Sequence, residues 1–481
     1  MLNWKELLNQ GRRKDRLKEV PSRGLASPNG RYEIERDYDR ILFSAPIRRL
    51  ADKTQVFPLD KNDSVRTRLT HSHEVSTLAR SIGLRLAYEQ YDHFRDAGCP
   101  EFVQRSVPAI LAAIGLVHDL GNPPFGHQGE YSIQSWFSKN KGKIFDTESE
   151  ALDFLKFDGN AQTVRLVTKL QILNDEYGLN LTYATLGALI KYPVPATSTD
   201  SERWKKQGYF DSEKDMVQEV WEATGLSEGV RHPLTYIMEA CDDIAYSVLD
   251  AEDTVKKGLA SYYDLIRYLE KNCAADETVA SVIEHSRRKN KEFEDSSLSP
   301  QELNDCSMQM FRVNAITSMV GSVVKGFSEN IGDLMVGEPL YKGLIGVSDS
   351  KILCQTLKKF DLEYGFRHKS VLELELKGHN YIHEAMDMLW VGIRGNLNST
   401  GYSITPFGRY AFSRISESYR RVFLDCNNSF SVNYKEAQLL ADAISGMTDS
   451  YLIALHSELK PLYDRHCYEF GDTAEARPAD I

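Results

Sequence analysis

The chain has 481 residues, enough for two or three domains or for one large helical unit. Its 42% hydrophobic and 26% charged residues are ordinary soluble globular composition. A net charge of −11 argues against a whole-surface nucleic-acid binder but leaves room for a local basic groove. Seven scattered cysteines without a CxxC pair give no disulfide framework and point to a reducing cytoplasm. The N-terminus has no signal-peptide core, and no apolar run approaches membrane-spanning length.

Residues 1 to about 40 are polar and basic, with Arg12-Arg13-Lys14-Asp15-Arg16, and read as a solvated arm. The alternative is an arm packed on a neighbouring subunit. Between Ser44 and Leu59, two prolines and alternating character suggest loop with a short strand or turn rather than long helix. A helix follows through Val75, Leu78, Ile82 and Leu86, with Thr70 or Ser72 as its cap and His71 in its first turn.

The next helix carries Val107, Ile110, Leu111, Ile114 and Val117 at the period of a buried face. His118 falls on that same face and Asp119 follows it. Gly121 and Pro123-Pro124 then stop the helix. A new helix starts near Gly126 and places His127 and Glu130 three apart on one face. A buried His-Asp pair is costly without a partner, and a divalent metal is an economical one.

Residues 148–190 read as helical, with loops at Asp158-Gly159-Asn160 and Gly178-Leu179-Asn180. Residues 196–215 read as an exposed polar excursion. Pro233 opens a helix with an apolar face through Leu234, Ile237, Met238, Cys241, Ala245, Val248 and Leu249. Asp242 interrupts that face, and Tyr246, Asp250 and Asp253 continue a polar stripe from it. Such an acidic residue is usually paired or metal-bound. Helical text continues to 330. Residues 331–366 show glycines and little periodicity. Helices resume at about 367–394, 406–425 and 434–464, and the tail after Glu469 reads as frayed.

Four potential ligands therefore come from three separate helices: His71, His118, Asp119 and Asp242. This set is the pattern of the HD superfamily of metal-dependent phosphohydrolases. Within it the chain resembles the dNTP triphosphohydrolases, most closely the bacterial dGTPase type. The matching text is Ser44–Leu50, Lys53–Phe57, Thr67–Ser72, His118–His127 and Asp242–Tyr246, with a shorter match at Ile444–Asp449.

The resemblance implies an all-α HD core with helical additions at both ends. We divide the chain into an arm at 1–59, an HD core at 60–275 and a C-terminal helical region at 276–481. One divalent cation is expected on His71, His118, Asp119 and Asp242, with Asp243 as the rival for the fourth place. Mn²⁺ or Mg²⁺ is favoured, and the donor set also suits Fe²⁺, Co²⁺ or Zn²⁺. His127 and Glu130 match the family's catalytic pair, with His127 as acid, base or nucleophile. Arg68 matches a phosphate-binding arginine. Tyr246 and Asp250 match residues at the sugar, Gln55 and Val56 residues near sugar and base, and Lys191 and Tyr192 weaker substrate contacts. A further arginine is expected among Arg409, Arg414, Arg420 and Arg421. His73 departs from the family pattern and reads as a bystander rather than a ligand, because it cannot share a helix face with His71.

The expected reaction is hydrolysis of dGTP to deoxyguanosine and inorganic triphosphate in a cytoplasmic homo-oligomer, a hexamer by resemblance. Two rivals stand beside it. One is a broad dNTP triphosphohydrolase. The other is a regulator that binds nucleotide or single-stranded DNA, in which turnover is incidental.

Overall fold

The protein is described from a computed structural model, which covers residues 1–18, 30–57, 65–171, 176–394, 396 and 405–470. Part of the N-terminal arm, Pro58-Leu59 and the tail beyond Phe470 lie outside the described residues. The fold is all-α. Among the described residues no β-strand forms, and only three isolated bridges pair extended backbone.

Four helices frame the centre: α1 (Arg68–Glu89), α2 (Pro100–Val117), α3 (Gly126–Ile144) and α4 (Pro233–Lys256). The C-terminal half adds α5 (Pro300–Met335), α6 (Lys351–Phe360), α7 (Lys369–Ile393), α8 (Val432–Ser445) and α9 (Asp449–Phe470). α1 begins at Arg68, three residues earlier than a Thr70 cap would give. Its cap is Thr67, which forms a reciprocal capping box with Thr70.

Two hydrophobic cores form, and they do not follow chain order. The first gathers α1, α2, α4, α5 and α6 around Val75, Ile114, Ile244, Phe311 and Leu357. The second joins α3 to α7, α8 and α9 around Trp136, Phe137, Leu389, Leu440 and Leu455. α1 and α2 approach closely where Gly115 faces Ser76. A Cβ on Gly115 would come within 2.8 Å of the Ser76 backbone. Only a bare glycine there lets the His71 and His118 segments converge.

Four stretches differ from their sequence reading. The described residues of the N-terminal arm do not form a solvated arm, because Trp4, Leu7 and Leu8 are buried and Arg12 is enclosed by Glu33 and Asp37 of the same chain. Residues 45–49 form a short helix, which tolerates Pro46 because first-turn N–H groups have no intrahelical partner. The 196–215 segment is not an excursion as a whole: Trp204, Gln207, Tyr209, Phe210 and Glu213 are buried. There the Gln207 amide donates to the carbonyls of Asp153 and Lys156, and Gly208 N–H donates to Val194 O. The glycine-bearing 331–366 stretch holds helix Gly343–Val347, all of α6 and a wide π-type turn over Asp361–Phe366. Each was misread because burial by distant segments leaves no local period.

A buried ion cluster ties the first core's periphery to α8. Arg165 donates to both oxygens of Asp442 and to Glu213, and all three side chains are at most 5% exposed. Replacing Arg165 by Met would leave buried Asp442 without its cation and Glu213 with Lys169 alone. Arg165→Met is expected to lower stability by roughly 3–5 kcal/mol, read as a fall in the denaturation midpoint with helical content retained at low temperature.

Candidate active site

A cavity of about 640 Å³ opens where the two cores meet. Its size fits a nucleotide-sized ligand. α1, α2 and α4 supply the first core's wall, α3 the wall facing it, and α6, α7 and the turn between them close the remaining side.

His118 and Asp242 line it and His71 is buried beside them, the ligand atoms of all three within 4.8 Å of one another. His71 Nε2 is 3.2 Å from Asp242 Oδ1, and His118 Nε2 is 3.5 Å from the Oδ1 atoms of both Asp119 and Asp242. His118 Nδ1 lies 2.8 Å from Gly115 O. A proton on Nδ1 donated to that carbonyl leaves the Nε2 lone pair aimed at the carboxylates, as a metal ligand requires. His118 Nε2 is buried and has no hydrogen-bond partner. Two imidazoles facing carboxylates, one with an orphaned ring nitrogen, are a donor set that fits one divalent ion.

Asp119 flanks this group: Oδ1 accepts from Asn122 Nδ2 at 2.7 Å, and Oδ2 accepts from Arg68. Burial alone would raise the Asp119 carboxyl. The charges of His118 and Arg68 instead hold it well below the usual carboxylate range. Burial opposes ionisation of Asp242 in the same way, and Lys191 and His118 overcome it. Lys191 Nζ is 3.2 Å from Asp242 Oδ2. Asp243 turns away to accept from Lys358 at 2.6 Å, so Asp242 is the carboxylate in the cluster. His73 is half-buried and outside both the cluster and the cavity lining.

The His127–Glu130 pair lines the same cavity from α3. His127 Nδ1 lies 2.8 Å from Glu130 Oε2, and the imidazole is 71% exposed, so Nε2 is the free end. Glu130 Oε1 accepts from Gly159 N–H at 2.7 Å. Burial would push the Glu130 carboxyl up, but the His127 hydrogen bond and the nearby Lys206 bring it down to about 2.

Gln55, Val56, Arg68, Lys191, Tyr192 and Tyr246 all line the cavity. Asp250 does not. It lies buried one turn beyond Tyr246, and neither carboxylate oxygen has a hydrogen-bond partner. Burial and the charge of Asp253 push its carboxyl well up.

None of Arg409, Arg414, Arg420 and Arg421 lines the cavity. Arg414 pairs with Glu458 and Arg421 with Glu417, while Arg420 lies over the Phe412 ring. The cations that sequence reasoning missed are Lys206, Lys358 and Arg367. Glu375, half-buried on α7, was missed as well. Lys206 sits in the stretch read as an excursion and Lys358 in the stretch read as aperiodic, while Arg367 stands at the start of the stretch read as the next helix.

The turn between His118 and α3 is held from behind. Lys53, 3% exposed, donates to Asn122 O at 2.6 Å and Ser445 O at 2.7 Å. Burial pushes the Lys53 ammonium down to about 7, against the charge of Asp449. Asp449 accepts from Phe125 N–H and Thr54 N–H, each at 3.0 Å. Phe125 has φ of 61°, a strained left-handed conformation for a bulky residue. Gly126 follows with φ of 58°, and a Cβ there would lie 2.5 Å from the Arg68 guanidinium. These contacts explain why the short C-terminal match at Ile444–Asp449 belongs with the site.

Comparisons with known proteins agree with this geometry. A family model described as the HD domain matches residues 68–190. A deoxyguanosinetriphosphate triphosphohydrolase-like protein of Listeria monocytogenes is 35% identical over 96% of this chain and 100% of its own length. A probable deoxyguanosinetriphosphate triphosphohydrolase of Pseudomonas aeruginosa is 32% identical over 87% of this chain and 91% of its own. The deoxyguanosinetriphosphate triphosphohydrolase of Salmonella typhimurium is 31% identical, again over 87% and 91%. No helix among the described residues is long and apolar enough to cross a membrane. An all-α fold, an HD match across the histidine-aspartate cluster and near-full-length similarity to these relatives place the chain in the HD-domain family of deoxyguanosinetriphosphate triphosphohydrolases, as a hydrolase with a His/Asp site suited to a divalent metal.

Proposed function

We propose that the protein hydrolyses dGTP to deoxyguanosine and inorganic triphosphate in the cytoplasm. The observation that carries this reading is that the His71/His118/Asp242 cluster, through His118 and Asp242, and the separate His127–Glu130 pair face one cavity. The names of the relatives support guanine as the base.

His71, His118, Asp119 and Asp242 would hold one divalent ion, with Mn²⁺ or Mg²⁺ favoured. When bound, such an ion supplies Lewis-acid polarisation at the α-phosphate and a more acidic water. Arg68 and Lys191 stand beside the cluster to bind phosphate oxygens. Lys358 and Arg367 add positive charge along the same wall.

Hydrolysis adds water across the bond between the α-phosphorus and the nucleoside 5′-oxygen. The phosphorus gains the water oxygen, the 5′-oxygen leaves with the bonding electron pair, and that oxygen must gain a proton. His127 Nε2 is placed to move a proton or to attack, because Glu130 holds Nδ1. Tyr246 forms the floor for the sugar, with Phe366 5.8 Å from it ring to ring. A ring packed there leaves no room for a 2′-hydroxyl. Gln55 and Val56 stand near sugar and base, Tyr192 adds a weaker contact, and Asp250 supports Tyr246 from below. Assembly into a homo-oligomer, a hexamer by family resemblance, and binding of single-stranded DNA belong to the same proposal.

Asp119→Ala is expected to lose bound metal and activity with helical content unchanged. His127→Ala is expected to keep its metal and slow turnover roughly 10²–10⁴-fold, with Glu130→Ala non-additive to it. Metal analysis beside kcat for both singles and the double variant checks this. Retained metal with normal turnover in Asp119→Ala, or metal loss in His127→Ala, contradicts the assignment.

Tyr246→Ala is expected to raise kcat/KM for GTP relative to dGTP, by up to about 10²-fold. A panel of deoxynucleotides and ribonucleotides with products resolved reads this ratio. The same panel separates a dGTP enzyme from a broad dNTP enzyme and from a regulator with incidental turnover. Light scattering at micromolar concentration is expected to show an assembly larger than a monomer.

A further inference from the structure

The segment that delivers Lys206 is anchored on both sides. Lys205 has φ of 66°, Gln207 is clamped by two carbonyls, and a Cβ on Gly208 would lie 1.7 Å from Tyr192 O. So fixed a backbone has little freedom to swing Lys206 elsewhere. Its ammonium lies 2.7 Å from Asp158 Oδ2 and 3.6 Å from Glu130 Oε2. Asp158 is buried and is held in turn by Asn160, whose backbone and side-chain N–H groups both donate to Oδ1. Asp158 also caps the helix whose first residue, Gly159, donates to Glu130 Oε1.

We propose that Lys206 is a positioning residue for the His127–Glu130 pair, with Asp158 as the post that holds it. The inference rests on the proposed role of that pair. Glu130 and Asp158 are two buried carboxylates with one ammonium between them. Like charges so placed favour taking up a proton, and the cation between them opposes this; at Glu130 it prevails, while burial and the charge of Glu130 still push the Asp158 carboxyl up. An ionised Glu130 accepts the Nδ1 proton of His127 and presents Nε2 to the cavity. A protonated Glu130 loses that hold on the ring. The groups facing Glu130 are His127 on its own helix, Lys206 from the 204–210 segment, and Asp158 with the Gly159 N–H from the loop before Gly159–Arg165. Tyr192 borders Lys206 and Asp158 from the fourth side. The charges of Glu130 and Asp158 hold the Lys206 ammonium up against burial, in keeping with this arrangement.

The sign follows directly. Without Lys206, Glu130 retains its proton to higher pH, so the acidic limb of the kcat profile moves upward. We expect Lys206→Met to shift that limb by about one to three pH units, with a larger loss at about pH 4 than at about pH 8. Lys206→Arg should keep the wild-type limb. Adding Asp158→Asn to Lys206→Met should move the limb back, because the competing carboxylate is gone. In a Glu130→Gln background, Lys206→Met should move no limb. The measurement is kcat and KM for dGTP from pH 3 to 9 at saturating metal, with circular dichroism on each variant at each pH.

An unchanged limb in folded Lys206→Met overturns the proposal. So does a rise in KM at every pH without recovery by Asp158→Asn, which would make Lys206 a phosphate contact instead. Failure of the underlying reading shows differently: His127→Ala and Glu130→Ala would then turn over dGTP like wild type, whatever Lys206 does.

Discussion

The site depends on holding one turn, residues 118–126, against its own strain. This turn carries the chain from one hydrophobic core to the other, with Leu120 in the first and Phe125 in the second. It must end α2 at His118, expose Asp119, and restart a helix in time to place His127 over the cavity. A left-handed Phe125 is the cost of so short a crossing. Lys53 and Asp449, drawn from opposite ends of the sequence, hold it there. Packing assists, because a Cβ on Gly378 would lie 2.6 Å from the Phe125 ring. The N-terminal and C-terminal segments are therefore part of the site's framework.

The second constraint is charge. The chain as a whole is acidic, yet the proposed ligand is a polyanion. The cavity resolves this by local pairing. Arg68 rests on Asp119, Lys191 on Asp242, Lys206 on Asp158 and Lys358 on Asp243. Paired cations are held in place without the repulsion an uncompensated basic pocket would carry. Asp119 and Asp242 belong both to these pairs and to the proposed ligand set. Binding of a divalent ion and the freedom of Arg68 and Lys191 to meet phosphate are thereby connected through the same two carboxylates.

Much of this was legible in the sequence because it is local. A 3.6-residue period marked α1, α2 and α4, and proline and glycine marked their ends. His118-Asp119 at the end of an apolar helix, and Asp242 on another, announced buried charge that needed a partner. The spacing of His127 and Glu130 put them on one helical face, and the structure brings them to 2.8 Å. The cap of α1 was misplaced by a few residues, since Thr67, Thr70 and Ser72 are all competent cap residues and only geometry chooses.

Tertiary structure alone decided the rest. Local polarity made 1–40 and 196–215 look exposed, but segments far away in sequence bury Trp4, Arg12, Gln207 and Phe210. No periodicity flags a lysine such as Lys206, whose environment is a loop pinned by carbonyls of other loops. Asp250, which the resemblance sets near the sugar, is buried one turn beyond Tyr246 and outside the cavity lining, a depth that its helical stripe does not reveal. The C-terminal arginines looked suited to phosphate, but each is turned by its own helix toward other partners or solvent. The sequence by itself marked the histidines and aspartates that meet at the cavity, because helix period and residue type are short-range properties. Which charges meet across the cavity was decided by how two cores close on one turn, a long-range property that no local pattern encodes.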